Sequence, residues 1–251
     1  MENKENNNFE DIDSNLVIDI KPKFRDDKTI PLVKKIFLFV TGFAGIYLIA
    51  LLASAFLLFS NLDKTQQASV STFITYGVLF AILFGILNFD LKHIFNEFKK
   101  WKSWLIGIGF GAALILVPIF YTTIISEFYE YHINENETSL RQIIAIYPVL
   151  SVLFFGVIGP ICEELTYRVG LFGSLSKYKW LAYLVAIFVF ALAHFSFTAE
   201  GIIDELINLP IYLFSGFMFA FAYDKFGLSA SLAAHMTNNL YSVIVIICTK
   251  E

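Results

Sequence analysis

The stretch GPICEELTYRVG, Gly159–Gly170, decides how this chain is read. It sets Glu163, Glu164 and Arg168 inside an apolar run that extends from Ile143 to about Ser174. A charged side chain at the centre of a membrane helix costs about 2.5–3.5 kcal/mol on insertion scales, so three within six positions would cost roughly 8–10 kcal/mol if left uncompensated. Such charges must be paired or face a wet cavity.

That the surroundings are a membrane follows from composition. Of 251 residues, 57% are hydrophobic, with 28 Phe and 12 Tyr, and the mean hydropathy is +0.66, far from the balance of a soluble globular domain. A hydrocarbon core of about 30 Å takes roughly 20 apolar helical residues. Candidate spans lie at about Ile36–Phe59, Ser69–Phe89 and Trp104–Ile125, then the run of Ile143–Ser174, then Leu181–Ala199, Leu206–Ala222 and Leu228–Ile247. The expected fold is an all-α polytopic transmembrane bundle of about seven spans, with Pro160 marking a kink or break in the fourth.

The polar first 33 residues lack an apolar signal-peptide core and read as a disordered cytoplasmic tail, 1–33. N-terminal transmembrane helices follow over 34–142, and the motif-bearing domain is 143–248. The net charge of −4 gives no sign of a nucleic-acid partner. Cys162 and Cys248 both fall in apolar segments, with the spacing of neither a disulfide framework nor a metal site, and read as packing residues.

Sidedness comes from the cations. With the tail inside, Lys34, Lys35, Lys92, Lys99, Lys100, Lys102, Lys177, Lys179 and Lys225 share one side, while the other keeps Lys64, Arg141, Lys250 and the acidic loop EFYEYHINENETSLR. The excess predicts a cytoplasmic N-terminus and an outside C-terminus. Trp101, Trp104 and Trp180 fall at the inner boundary, where an aromatic belt belongs.

Few polar groups remain inside the spans: Glu163, Glu164, Arg168, His194, His235, Asn238 and Asn239. Glu164 and Arg168 stand at i and i+4 and can neutralise each other. Glu163 lies about 100° around an α-helix and is left free for proton transfer. Phe190 and His194, and likewise His235 and Asn239, share a helical face. At 1.5 Å per residue, Glu163 lies roughly 21 Å from Lys177, His194 roughly 22 Å from Lys179 and His235 roughly 15 Å from Lys225, a similar depth for all three. Asn238 reads as helix–helix glue, and Tyr47 and Tyr76 as lipid-facing or core filler.

EELTYR, FALAH and HMTNN resemble, in order, the E-E-x-x-x-R, F-x-x-x-H and H-x-x-x-N motifs of the CPBP intramembrane proteases. That family holds CAAX prenyl endopeptidases and bacteriocin-processing or self-immunity (Abi) proteins. The resemblance covers roughly Ile143 to Ile247, so the catalytic core falls in the last four spans. It implies that Glu163 and His194 activate a water, that His235 and Asn239 stabilise the oxyanion, and that Glu164 and Arg168 position the others. The family often has Gly directly after the arginine; here Val169 intervenes before Gly170.

Glu163, His194 and His235 would suit a catalytic zinc with an open position, as the family's metalloprotease name suggests. The H-E-x-x-H spacing is absent, however, and the expectation is a site with no obligatory cofactor. The implied partner is a membrane-embedded or lipid-associated peptide or protein: a prenylated C-terminus, a pheromone or bacteriocin precursor, or a membrane-protein tail. The site is expected to be reached from the bilayer or the cytoplasmic side. Two other functions use the same residues differently: a non-proteolytic scaffold or immunity factor, and a proton-coupled transporter, although no internal repeat is visible.

Overall fold

The computed structural model describes residues 29–197 and 201–249, and among them all regular structure is helical. The helices are α1 (Leu32–Leu57), α2 (Lys64–Leu87), α3 (Leu91–Phe98), α4 (Trp101–Ser126), α5 (Glu135–Ile146), α6 (Pro148–Phe172), α7 (Lys179–Ala193), α8 (Ile202–Phe226) and α9 (Leu228–Thr249). Six are long and apolar enough to cross a membrane, and the shorter apolar α7 completes the expected set of about seven. Most of the expected tail lies outside the described residues. Of those described, Ile30 is buried and Leu32 already opens α1.

Local chemistry sets the boundaries. Asp63 and Gln66 form a reciprocal capping box at the start of α2 (2.8 and 3.2 Å), satisfying two orphan N–H groups. Asn134 caps α5 by accepting from Glu137 N at 3.0 Å, so part of the expected acidic loop is a helix.

The long run does not break at Pro160. It breaks at Tyr147, whose backbone (φ −128°, ψ 62°) leaves the helix just before Pro148, as pre-proline residues tend to. From Pro148 the chain is helical to Phe172, with wide π-type turns over Phe154–Ile158 and Glu164–Phe172 on either side of Gly159–Glu163. Pro160 is accommodated because the π-turn before it already reroutes the hydrogen bonds.

Two close approaches hold the bundle. A Cβ on Gly107 or Gly111 would come within 2.3 Å of Ala230 O or 2.5 Å of Thr237 Cβ, so this small-xxx-small pair lets α4 lie against the backbone of α9. A Cβ on Gly170 would meet Phe39 N at 2.8 Å, so α1 crosses α6 there, one position later than the family pattern; Val169 packs into the core instead.

The ends of the bundle differ in polarity. Lys34 pairs with Asp90, Lys100 with Glu97 at 2.5 Å, and Lys225 and Lys179 with buried Asp224 at 2.8 and 3.5 Å. Lys34–Asp90 joins the start of α1 to the end of α2, Lys100–Glu97 closes the end of α3, and Lys179–Asp224 joins the start of α7 to the end of α8. The start of α5 and the end of α7 lie at the opposite end, the α5 end. Cys162 is buried in the core, but Cys248 is exposed and does not act as an interior packing residue.

Candidate active site

Three elements bring the acids and imidazoles together. Glu163 Oε2 on α6 lies 3.8 Å from His194 Nε2 at the end of α7 and 3.7 Å from His235 Nε2 on α9. These separations are too long for direct hydrogen bonds, and Glu163 Oε2 is a buried acceptor with no hydrogen-bond partner. Its other oxygen accepts from Tyr76 OH on α2 at 3.3 Å. Tyr76 is therefore part of the site and not lipid-facing or core filler. Its signal in sequence was a single hydroxyl among aromatic residues, which no spacing rule distinguishes.

Both rings are held through Nδ1. His194 Nδ1 lies 2.9 Å from Phe190 O, and the ring packs on Phe190 (centroids 4.6 Å) and stacks on Tyr212 (5.0 Å, 21°). His235 Nδ1 lies 3.0 Å from Glu164 Oε1, and its ring stacks on Phe219 (4.3 Å, 20°). A proton on each Nδ1 satisfies these bonds, an assignment made from the network, and both Nε2 atoms then face Glu163.

Glu164 therefore does more than neutralise Arg168. It is fully buried and also accepts from Ser231 Oγ. Arg168 Nε stands 3.3 Å from Glu164 Oε2, yet none of its nitrogens has a hydrogen-bond partner. Its guanidinium lies over Phe190 (5.0 Å) and Phe219 (5.5 Å), where the ring quadrupoles stabilise the buried cation.

Asn239 Nδ2 donates to Phe155 O at 3.1 Å, and its Oδ1 accepts from Asn238 at 3.3 Å. The origin of the first bond lies in α6. In the π pattern Gly159 N donates to Phe154 O, so the next donor, to Phe155 O, would be the nitrogen of Pro160, which carries no hydrogen. Pro160 thus leaves a carbonyl for Asn239, and one Nδ2 hydrogen stays available to the cavity.

α7 ends at Ala193, not near Ala199, and His194 caps it. The irregular backbone beyond it is satisfied from the protein, as it must be at membrane depth. Asn134 Nδ2 donates to His194 O at 3.3 Å. Buried Glu205 accepts from Ser196 N at 3.1 Å, Glu135 N at 2.9 Å and Asn134 Nδ2 at 3.4 Å. Asn134 Oδ1 also accepts from Tyr212 OH at 3.2 Å, and Asn136 donates to that hydroxyl at 3.3 Å. Nearby, Tyr131 OH donates to Asn208 Oδ1 at 2.5 Å; burial pushes its pKa up to about 12, so it remains a donor at neutral pH. The sequence reading missed this network. Its signals were Asn134 three residues before Glu137, a helix-start pattern, and Glu205 at the edge of an apolar run.

A cavity of about 160 Å³ joins these groups, lined by Tyr76, Glu163, His194, Tyr212, His235 and Asn239 among others, and by Asn136, Glu137, Leu140 and Ile144 of α5. The cavity therefore reaches toward the α5 end. Among the described residues, no group of three or more His, Cys, Asp or Glu side chains is arranged to hold a metal ion.

Fold and site define a polytopic helical membrane protein that encloses an acid–imidazole cluster between its spans. A model of the type II CAAX prenyl endopeptidase Rce1-like family matches residues 145–241. UPF0177 protein YxdF of Lactococcus lactis subsp. lactis is 32% identical over 129 residues, 48% of this chain and 69% of the relative. An uncharacterised protein of Mycoplasma capricolum subsp. capricolum is 27% identical over 219 residues, 79% of this chain and 62% of the relative, so the chain spans less than two thirds of that protein. No solved structure matches. The chain belongs to the CPBP family, whose three motifs lie on α6, α7 and α9.

Proposed function

We propose that the protein is an intramembrane endopeptidase that cleaves a membrane-associated peptide or protein. Glu163 is the general base: it takes a proton from a water whose oxygen attacks the scissile carbonyl carbon. His194 Nε2, an acceptor once Nδ1 carries the proton shared with Phe190 O, orients the second hydrogen of that water. As the C–O bond forms, the carbonyl electrons move to oxygen, and His235 Nε2–H and the remaining Asn239 N–H donate to the oxyanion. The amine leaves with the proton held by Glu163. In this reading His235 is doubly protonated and Glu164 counters its charge, so Arg168, Glu164, His235 and Glu163 together are neutral.

The observation that carries the reading is the placement of one unpartnered carboxylate oxygen 3.7–3.8 Å from two imidazole nitrogens whose rings are fixed from behind. Family membership supports the same class of reaction. The protease domain of this proposal is 143–248, with Tyr76 reaching in from α2; the N-terminus is cytoplasmic and the C-terminus outside.

The test is single-turnover cleavage by purified protein in nanodiscs, against a library of peptides that joins one fixed transmembrane helix to eight randomised residues, with and without chelator. Cleavage that disappears in Glu163→Gln is expected. Full activity in that variant removes Glu163 as the base, and strong chelator inhibition moves the chemistry to a metal. Normal cellular function without Glu163, His194 and His235 would favour a scaffold or immunity factor.

A further inference from the structure

A second cavity, of about 340 Å³, lies between α4, α5, α8 and α9 and shares Glu137, Tyr212, Ser215, Asn238 and Ser242 with the first. The shared wall sets the second cavity directly beside the one that Glu163 lines, on the side of α4, a helix that contributes nothing to the acid–imidazole cluster. Ile119 lines this cavity and is 49% exposed, so the cavity lies next to the exposed surface of α4.

We propose that this cavity binds an extended segment of substrate polypeptide beside the scissile bond, with an aliphatic side chain turned toward α4. The proposal rests on the endopeptidase reading. It follows from two unlike walls. Leu114, Ile115, Ile119 and Ile211 form an aliphatic side, and Ser215, Asn238 and Ser242 a side with hydrogen-bonding capacity to spare, whereas Asn134 and Asn208 are already bonded within the protein. An acyl or prenyl chain would cover the polar wall without bonding to it, at a cost for each group. A polypeptide offers one N–H and one C=O per residue, and in extended form sends alternate side chains to opposite faces. Ser215 and Ser242 donate their hydroxyl hydrogens to Ile211 O and Asn238 O at 2.9 and 3.2 Å, which leaves lone pairs to accept from a substrate N–H. The charges at the rim, Glu137 and Arg141, already pair with each other at 3.1 Å, which favours a segment without charge of its own.

The experiment uses the peptide library in nanodiscs with the full chain carrying Glu163→Gln, and a benzophenone amino acid placed at Ile119 or, as control, at Phe120, which is 69% exposed. Ile119 is expected to capture peptide and Phe120 not, and the captured pool to be enriched in Leu, Ile or Val at one fixed position. With Glu163 restored, Ile115→Trp should raise KM about 10-fold for substrates with Leu there and change it less than about 3-fold for those with Gly, the scale on which an apolar pocket discriminates. Capture at Ile119 no greater than at Phe120 overturns the site even if the protein cleaves. Capture there of a photoreactive fatty acid that peptide does not displace also overturns it. Peptide capture without cleavage by the wild type leaves the binding site standing and removes the endopeptidase reading.

Discussion

His235 Nδ1 and Glu164 Oε1 are 3.0 Å apart, and this contact decides which face of the imidazole meets the reacting groups. Glu164→Gln removes the charge opposite the ring while nearly conserving volume. Loss of one oxyanion donor costs about 10² to 10³ in rate, and kcat should fall by that amount with KM nearly unchanged. A KM effect alone would assign Glu164 to substrate binding.

Arg168 stabilises the fold through the same carboxylate. Removing one partner of a buried pair costs about 3–5 kcal/mol because the other charge is left alone. Arg168→Ala should therefore lower the melting temperature in detergent, and Glu164→Gln with Arg168→Gln should recover part of the loss. No recovery would mean that the cation–π contacts with Phe190 and Phe219 are what Arg168 contributes.

Pro160→Ala returns an N–H that can compete with Asn239 for Phe155 O. The substitution is expected to leave folding intact, since it adds a hydrogen bond to α6, yet to reduce kcat toward the level of Asn239→Ala, itself about 10² to 10³ below the wild type. The double variant should be no slower than Asn239→Ala; additive losses would separate the two residues.

Tyr212 orients His194 by stacking and through its hydroxyl. Tyr212→Phe keeps the ring and loses the bonds to Asn134 and Asn136; Tyr212→Leu loses the stacking as well. Because proton-transfer groups contribute about 10² to 10⁴ in rate, a ring free to turn should lower kcat progressively from Phe to Leu. Equal melting temperatures with unequal kcat would identify positioning, whereas parallel losses of both would mean support of the fold alone.

Orientation is checked by cysteine labelling in intact cells, with Cys248→Ser as background. A membrane-impermeant reagent should reach Glu130→Cys from outside and Lys99→Cys only after lysis. Labelling of both from one side would overturn the span assignment.

Much of the architecture was legible because membranes impose simple rules. Apolar length marked the spans, and depth counted from Lys177, Lys179 and Lys225 put Glu163, His194 and His235 at one level, where their side chains meet. The i, i+4 spacing of Phe190 and His194 gave their packing. The rest depended on departures from α-helical periodicity, which a sequence does not display. The π-turns of α6 aim Glu164 at His235 as well as Arg168 and leave Phe155 O for Asn239, and both were invisible while Pro160 read as a kink. Asn134, Glu205 and Tyr212 act across 60 to 78 positions of sequence, through contacts that no local pattern encodes.

α7 is 15 residues long, about 22 Å at the α-helical rise, whereas the hydrocarbon layer is about 30 Å thick. Lipid next to α7 has to compress, or polar headgroups have to dip, until they meet the end of the helix at His194. A bilayer thinned there would bring water to the flank where a hydrolytic reaction would need it. Turnover should then depend on acyl length, rising in short-chain nanodiscs and falling in long-chain ones as the hydrated dimple beside His194 fills with hydrocarbon.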